Sequence, residues 1–419
     1  MDFRFDETQE AVREAAAGVF EGTVTPERVR DIEAGDIEAG DIEAGDIEAG
    51  GDRVDHALWA KLAEADLLGL CVPERLGGGG MGLVELCVML EAQGRCVAPV
   101  PLWETVALGA LPVARFGSEA LAASLLPEVA AGRSMVTAAL AEVADDIARG
   151  GSGQAVVRAE PTGAAGVAGP AGAGTSSSTS TGSVVLHGTV ELVPAAHVAD
   201  RILVPARFGD GTIVAAVDPT WPGVGMERAE TTNRQVRPHV HLDGVEVSPD
   251  DLLAGGDPGR GHEVIGTMLA FAWTGLCALQ VGVCEAALAQ TARYLNDREQ
   301  FGRALSTFQG TMLRAADAAI DIEAMRVTLW EAAWRLDAGL DAERAVAVAR
   351  WWSGDAGNRV VHATQHLHGG MGADVDYPIH RYFLWGKQIE VDLGGPSAHL
   401  ARLGRQLVAD LRSGAEVLA

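Results

Sequence analysis

The sequence predicts an α+β protein whose first and last parts are helical and whose middle part is built from strands. Helical spacing of apolar residues runs through most of the first 135 residues and returns from residue 256 to the end. Between them, residues 136–255 hold short β-branched segments bounded by Gly, Pro and Asp. A chain of 419 residues is long enough for three such domains. We therefore predict domain boundaries near residues 135 and 255.

The N-terminal domain is expected to be all-helical, with one insertion. The predicted helices span residues 6–20, 56–68, 83–93, 103–116 and 119–131. Residues 31–50 are four identical copies of DIEAG. Because a five-residue acidic repeat follows neither coiled-coil nor helical periodicity, we expect residues 31–50 to be a solvated insertion without a function of its own.

Four segments of the middle domain read as strands. They are SVVLHGTVELV, DRILVPAR, TIVAAVD and VRPHVHLDGVEV. Residues 150–183 are rich in Gly, Ala, Ser and Thr and carry almost no charge after Glu160. Such a composition buries too little apolar surface to order itself, so it predicts a flexible loop.

The C-terminal domain is predicted to be a bundle of antiparallel helices. One long apolar helix spans residues 264–295, and the following helices span residues 307–336, 341–366, 380–391 and 397–411. The connections between them are short, which is typical of helices that pack beside their neighbours in the chain.

Composition and charge exclude several classes of protein. The net charge is −26, whereas nucleic-acid binding requires a basic surface. The five cysteines form no C-x-x-C pair, so neither a zinc site nor a disulfide framework is indicated, and we expect no metal. The N-terminus is charged from residue 2, and no uninterrupted apolar run is long enough to cross a bilayer. We expect a cytoplasmic protein that does not associate with membranes.

Two stretches hold residues suited to binding a ligand. In DREQFGRALSTFQ, Arg298 ends the long helix beside Phe301, and an arginine fork is the usual bidentate partner of phosphate. In VHATQHLHGGMGADVDYPIHRYFLWGK, Gly369 and Gly370 allow close approach of the backbone to a ligand. The structural alternatives are a helix-capping arginine with a core phenylalanine, and a helix C-cap followed by a tight turn.

Taken together, the two stretches resemble the acyl-CoA dehydrogenase family. That family carries an R-x-x-F-G motif, then F-Q, then an H-G-G-x-G turn, and here these read Arg298 to Gly302, Phe308-Gln309 and His368 to Gly372. MDFRFDETQEAVR and LWAKLAEADLLGLCVPERLGGGG are similar to the family's first domain. The resemblance implies an N-terminal all-α domain, a middle β-sandwich or barrel and a C-terminal four-helix bundle.

The resemblance also implies a cofactor and a reaction. A carboxylate base removes the proton α to a thioester carbonyl, and the β carbon gives a hydride to the flavin of FAD. The family is typically tetrameric, with the arginine and F-Q from one subunit and the glycine turn from its neighbour. Carried onto this sequence, the cofactor-binding residues are Arg298, Gln300, Phe301, Gln309, Gln365, His366, Gly369 and Gly370.

The chain departs from the family at the catalytic base. Of the two positions where the family places its glutamate, one is occupied by Leu393 and the other approximately by Ala272. Neither side chain accepts a proton, so we expect no catalytic residue in this chain. Asp392 and Glu390 are close in sequence and remain alternatives, although both are typical of residues at the end of a helix.

The flavin-contacting part of the middle domain departs as well. After Leu140-Ala141-Glu142 the family continues with Pro and a Gly-Ser pair, whereas this chain reads VADDIARGG. The family's Trp-x-Thr strand is replaced by LHGTVELVP, and His366 takes the place of the glutamine that precedes the glycine pair. We therefore expect that this chain's own middle domain does not hold the flavin ring.

These departures lead to three hypotheses. The chain resembles subunits of actinobacterial α2β2 acyl-CoA dehydrogenases, notably those for steroid side chains. This implies the base-less subunit of a heterotetramer, with a homologous glutamate-bearing partner, an acyl-CoA substrate and electron-transfer flavoprotein. The first alternative is a self-sufficient homotetramer that uses Glu390 or Asp392. The second is a structural or binding paralogue without catalysis.

Overall fold

The computed structural model describes residues 4–34, 51–162 and 182–413. The described part of the first region contains six α-helices: α1 Glu7–Glu21, α2 Pro26–Ala34, α3 His56–Glu64, α4 Leu83–Cys96, α5 Leu111–Phe116 and α6 Glu119–Ala130. A π-helix, Trp103–Ala110, runs directly into α5. The helix predicted for residues 103–116 is therefore continuous, and its first half is π-helical. Wide turns of this kind are frequent at functional sites.

The first copy of the DIEAG repeat is not fully solvated, and this part of the prediction is wrong. Its residues Asp31–Ala34 complete α2. Ile32 is buried, and Glu33 pairs with the buried Arg381 at 2.8 Å. The copy is therefore packed against the C-terminal region, whereas residues 35–50 lie outside the described part of the chain.

The middle region forms one mixed sheet. Its elements are β1 Val136–Ala138, α7 Ala141–Ala148, β2 Val157–Pro161, β3 Val184–Val190, β4 Arg201–Phe208, β5 Gly211–Val217, β6 Val224–Glu227 and β7 His239–Val247. Strand β4 pairs antiparallel with β5 along one edge, and parallel with β1 and then β2 along the other. From β2 the sheet continues through β3 and β7 to β6.

Part of the predicted loop at residues 150–183 is a strand. Val157–Pro161 forms β2, in which Val157 and Ala159 are buried while Arg158 is exposed. This two-residue alternation was hidden by the surrounding small residues, because composition dominates a short segment. Residues 163–181 of the predicted loop lie outside the described residues.

The C-terminal region is helical apart from one small hairpin. Its elements are α8 Gly261–Asp297, β8 Glu299–Gln300, β9 Arg303–Ala304, α9 Gln309–Asp337, α10 Glu343–Leu367, α11 Ile379–Val391 and α12 Pro396–Ser413. Helix α8 is long and apolar enough to cross a membrane by length and composition, but 83% of its most apolar window is buried inside the protein. It is the central helix of the region, packed against α4, α9 and α10.

The predicted fold class is confirmed: helical first and last regions enclose a middle sheet. The two helical regions share one apolar core, in which α4 and α8 are neighbours. The sheet has a second core of its own, built from residues such as Val157, Leu186 and Val240. Side chains from all three regions meet where the two cores adjoin, and this junction is part of the candidate site.

Candidate functional site

Arg298 lies at the C-terminal end of α8 with its side chain exposed. Its backbone N–H donates to the Tyr294 carbonyl at 2.9 Å, and its carbonyl accepts from Leu305 at 2.9 Å, so the backbone is fixed on both sides. Within the described chain the guanidinium has no hydrogen-bond or ion-pair partner. A fixed arginine with an unpaired fork is suited to bind an anionic group.

The hairpin after Arg298 presents Phe301 to solvent. Phe301 is 91% exposed and adopts φ +55°, and Gly302 follows with φ +77°. The alternative of a core phenylalanine is therefore wrong. The Phe301 ring lies edge-on to the Phe308 ring, with centroids 6.2 Å apart. The Arg303 guanidinium covers the Phe308 ring at 4.0 Å. The exposure of Phe301 in a strained turn fits a surface that is covered by another molecule.

The other two residues predicted from this motif are also accessible. Gln300 is exposed on β8, where its side-chain amide donates to the neighbouring Glu299 carbonyl at 2.8 Å. Gln309 is exposed at the first residue of α9. The structure thus brings Arg298, Gln300, Phe301 and Gln309 to one exposed end of the C-terminal region.

The glycine turn follows α10 as a 3₁₀ segment, Gly369–Ala373. Gly369 has φ +59°, and a Cβ on Gly372 would lie 2.5 Å from the Gln365 carbonyl oxygen, so the fold itself requires both glycines. Gly370 is different, because its φ is ordinary and a Cβ there would meet nothing within 4 Å. Within the described chain, the space in front of Gly370 is therefore open to a ligand.

The two other residues predicted at this turn have different environments. The Gln365 amide donates to the Gly372 carbonyl and closes the turn, while its own amide oxygen is buried without a partner. His366 is exposed on the last turn of α10. Gln365 therefore shapes the turn, and His366 is the accessible one of the pair.

An aromatic cluster joins the turn to the arginine motif within one chain. The Tyr294 ring stacks on His368 at 4.5 Å with an interplanar angle of 25°, and its hydroxyl donates to the His368 carbonyl at 3.4 Å. Tyr377 tilts against His368 at 5.4 Å from the other side of the turn. Tyr294 precedes Arg298 by one helical turn, so this stack sets the two stretches relative to each other. Sequence reasoning missed both tyrosines.

His368 is held in its neutral form. Its Nδ1 lies 2.9 Å from the Thr364 carbonyl, which places the proton on Nδ1. Its Nε2 is buried without a partner in the described chain, and burial lowers the pKa of the imidazole below its ordinary value of 6.5. A charge on this ring would lie between aromatic side chains with no anion to balance it.

A cavity of about 590 Å³ opens beside this cluster. Its lining comes from the start of α2, the C-terminal end of α8 and the two residues before α11, and consists of Pro26, Gln290, Arg293, Tyr294, Asp297, Arg298, Tyr377 and Pro378. Two arginines and two tyrosine rings suit a ligand with phosphate groups and a planar base. This end of the chain therefore fits the phosphate-bearing part of FAD.

The two expected positions of the catalytic base meet in space. The Trp273 indole N–H donates to the Leu393 carbonyl at 2.8 Å, and the Trp103 indole N–H donates to the Ala272 carbonyl at 3.0 Å. Ala272 is fully buried, and Leu393 packs against the core. No carboxylate occupies either position, so neither residue accepts a proton.

Hydrogen bonds to backbone carbonyls hold the segment around Leu393 in place. Arg350 is fully buried and donates to the Ile389 carbonyl at 2.5 Å and the Asp392 carbonyl at 2.7 Å. The His399 Nε2 lies 3.1 Å from the Gly394 carbonyl. Leu393 itself has φ +52°, a conformation that these bonds maintain against its steric cost.

The alternative bases are engaged in ion pairs. Arg237 grips both carboxylate oxygens of Asp392, at 2.7 and 2.8 Å, and Gln388 donates to the same group at 2.7 Å. Arg237 and Asp392 are both buried. Glu390 is paired with Lys387. Both oxygens of Asp392 and one oxygen of Glu390 are therefore engaged by other side chains.

A second buried acid, which sequence reasoning missed, joins Arg237 and Asp392 in one cluster. Glu104 lies on the π-helix, and burial raises the pKa of its carboxyl to about 7, with Arg237 and Asp392 as its charged neighbours. The cluster joins the N-terminal helices, the sheet and α11, and it encloses a void of only about 10 Å³. Among the described residues, the junction of the three regions is therefore closed.

The segment VADDIARGG forms most of helix α7. Its backbone donors are used within that helix, and Arg405 of α12 donates to the Ile147 carbonyl at 3.0 Å. The Glu142 carboxylate accepts from the Glu191 N–H at 2.6 Å, inside the segment that replaces the family's Trp-x-Thr strand. These groups are satisfied by the chain itself and are not free to bind a ligand.

Comparisons with known proteins agree with this geometry. Residues 6–133 match the acyl-CoA dehydrogenase N-terminal domain, and residues 259–407 match the C-terminal domain. Acyl-CoA dehydrogenase FadE27 of Mycobacterium tuberculosis is 34% identical over 97% of this chain and 99% of its own length.

Two solved complexes contain similar chains. A chain of the Tcur3481-Tcur3483 steroid acyl-CoA dehydrogenase G363A variant is 40% identical, with a TM-score of 0.82, and the match covers 97% of this chain and 99% of that one. A chain of the ChsE4-ChsE5 complex from Mycobacterium tuberculosis is 34% identical, with the same TM-score and coverage. FAD is the cofactor of proteins of this kind. The chain is an oxidoreductase acting on acyl-CoA and belongs to the acyl-CoA dehydrogenase family.

Proposed function

We propose that this chain is the subunit of a heteromeric acyl-CoA dehydrogenase that lacks the catalytic carboxylate. The observation that carries the proposal is the contact between Trp273 and Leu393, where both positions for the base meet without a proton acceptor. Loss of a positioned base lowers a rate by about 10²- to 10⁴-fold. Abstraction of the α proton therefore falls to a homologous partner subunit.

This chain contributes to the cofactor site instead. Bound FAD supplies the acceptor for the substrate hydride. The free fork of Arg298 binds phosphate, Phe301 covers a planar ring, and Gly370 leaves room for close backbone approach. The flavin ring lies with the partner, because α7 and the Glu142 bond occupy the flavin-facing side of this chain's sheet.

The substrate class and the partners follow from the relatives. One similar chain belongs to a steroid acyl-CoA dehydrogenase, and another to a two-component complex. We propose CoA thioesters of steroid side chains as the substrate class. Electrons leave through electron-transfer flavoprotein, and the complex works in the cytoplasm.

The two alternatives fit the structure less well. A self-sufficient enzyme needs Asp392 or Glu390 as its base, yet Asp392 is gripped by Arg237 and Glu390 is paired with Lys387. A paralogue without cofactor has no use for an unpaired Arg298 or for Phe301 at 91% exposure. We therefore favour the heteromer.

The test is turnover with and without a partner. The chain is co-expressed with each acyl-CoA dehydrogenase-type gene that neighbours its own, and dehydrogenation of a steroid side-chain CoA ester is followed with a dye acceptor. We expect turnover by the complex and less than about one hundredth of it by this chain alone. Full turnover by this chain alone would contradict the proposal.

A further inference from the structure

Helix α2 forms one wall of the cavity beside Arg298. Pro26, the first residue of α2, lies in the lining, and other parts of the lining are the end of α8 and the pair Tyr377-Pro378. A cavity keeps its width only if its walls keep their positions. The contacts that hold α2 in place therefore also set the space that is available to a ligand.

Helix α2 is attached outside the two apolar cores. It is nine residues long, and its buried side chains, Val29 and Ile32, belong to neither core among the described residues. Its backbone makes only sparse contacts with any other described helix or strand. Because so short a helix is not stable by itself in water, its side-chain contacts decide where it lies.

Two ion pairs attach α2, one in its first turn and one in its last. In the first turn, Arg28 donates two hydrogen bonds of 2.5 Å to Asp55, the residue that caps α3. In the last turn, the Glu33 carboxylate accepts from the Arg381 Nε at 2.8 Å. The Arg28 pair ties α2 to the N-terminal region at one point, about which the helix could still pivot. The Glu33 pair supplies the second point and so sets the direction of the helix axis.

Arg381 belongs to another wall of the same cavity. Its backbone N–H donates to the carbonyl of the lining residue Pro378 at 3.1 Å. The next residue, Tyr382, donates its hydroxyl to the Arg95 carbonyl at 2.8 Å, which holds the start of α11 against α4. The side chains of Arg381 and Glu33 are only 5% and 18% exposed. The pair is therefore shielded from water, and its attraction is stronger than that of an ion pair on the surface.

We propose that Glu33 and Arg381 are positioning residues for the cofactor. Their ion pair joins α2 to α11 and sets the width of the cavity that receives the phosphate-bearing part of FAD. Neither side chain is among the described residues that line the cavity, so both act through the walls they hold. Glu33 lies in the first DIEAG copy, which thereby gains a role in the cofactor site. The inference rests on the proposed function, in which this chain contributes to the FAD site.

The test removes the ion pair and measures FAD binding by the complex with the partner that restores turnover. Glu33→Ala deletes the acceptor and keeps a residue that favours a helix. We expect the dissociation constant of FAD to rise about tenfold, within the roughly 5- to 150-fold that couples a distant contact to a binding site. Glu33→Gln keeps an oxygen that accepts from Arg381 but loses the charge, and should raise the constant about threefold. Arg30→Ala, at an exposed position of the same helix, is the matched control and should leave the constant unchanged.

A second measurement separates positioning from a purely structural role. The melting temperature of the complex without FAD is compared for the same variants. A structural contact would lower this temperature and leave the affinity of the folded complex for FAD as in the wild type. That result for Glu33→Ala would overturn the inference.

Hydrogen exchange of the wild-type complex remains informative if Glu33→Ala does not fold. Addition of FAD should slow the exchange of the backbone amides of residues 27–34, because the ligand packs against a wall that Glu33 holds. Unchanged exchange in α2, while amides next to Arg298 become protected, would overturn the role of α2 and leave the FAD site standing. Absence of FAD binding by the complex with every candidate partner would instead count against the proposed function.

Discussion

Helix α8 passes two regions of opposite character. Near its middle, Ala272 and Trp273 are buried, and their neighbours Leu393 and Asp392 are tied to the chain by hydrogen bonds and an ion pair. At its end, Arg298 is unpaired beside an open cavity of about 590 Å³. The closed region lies where the family places its base, and the open one lies where it places the cofactor's phosphates. In the proposed heteromer, this chain contributes cofactor contacts and its partner contributes the base.

Removing the arginine from the closed region is expected to have the largest effect. Arg237→Met leaves two buried carboxylates, Asp392 and Glu104, without their cation, and should lower the stability by about 3–5 kcal/mol in chemical denaturation. Arg237→Met combined with Asp392→Leu should recover most of it, because the Asp392 carboxylate is removed together with its cation and the raised pKa of Glu104 lets that acid stay protonated.

The same double variant separates structure from catalysis. Turnover of the complex should stay within a few-fold of the wild type, because Asp392 is a structural ion-pair partner in this account. Loss of turnover from a correctly folded double variant would identify Asp392 as the base and would remove the contrast between the two regions.

Removing Arg298 from the open region should weaken FAD binding without lowering the stability of the fold. Arg298→Gln is expected to weaken FAD binding by the complex about 100-fold, because a charge-assisted phosphate contact is lost, while the melting temperature of the apoprotein stays unchanged. Flavin fluorescence on dilution measures this. Arg207→Gln, an exposed arginine on β4, is the control and should leave FAD binding unaffected.

The protonation of Glu104 gives the closed region a pH dependence. Its folded pKa of about 7 lies above the ordinary 4.5, so the fold favours the protonated acid, and stability is lost as pH rises through 7. Glu104→Gln should therefore gain about 1–2 kcal/mol relative to the wild type at pH 8.5, with little gain at pH 4. An equal shift at both pH values would show that the charge of Glu104 is not the cause.

His368 gives the open region a pH dependence of the opposite sign. Its folded pKa is lowered from 6.5, so the stacked, neutral ring is favoured above that value and is disfavoured as pH falls below it. FAD retention by the complex should weaken several-fold between pH 7 and pH 5. His368→Phe, which keeps a ring between the tyrosines but cannot titrate, should flatten this profile. His262→Phe, at an exposed position, should leave it as in the wild type.

The smallest effect is expected at Glu390. Glu390→Gln removes a single partly exposed ion pair with Lys387 and should change the turnover of the complex less than about twofold. A drop of 100-fold or more would instead assign the base to this chain.

Much of the fold was predictable because long elements repeat a pattern many times. Helix α8 was expected at residues 264–295 and extends over Gly261–Asp297, since apolar residues recur along its whole length. Short elements fail for the same reason: β2 has only five residues, and its alternation was outweighed by small neighbours. The first DIEAG copy was misjudged because its role depends on Arg381, which is distant in sequence.

The site was predictable only where a motif is local. Arg298, Phe301 and Gly370 lie in short, distinctive stretches, and all three are exposed, as a role in cofactor binding requires. The ion pair of Arg237 with Asp392 joins residues 155 positions apart, and the stack of Tyr294 on His368 joins residues 74 apart. Neither pairing leaves a signal in one sequence, because aromatic and charged residues are common in any helix.

The most direct test of the account is the number of FAD molecules per chain in the purified complex. Flavin absorbance is compared with subunit masses from native mass spectrometry. If this chain supplies phosphate-binding residues while its partner holds the flavin ring and the base, the complex contains one FAD for every two chains, and this chain purified alone is colourless. One FAD per chain, or a yellow and fully active protein without a partner, would contradict the account.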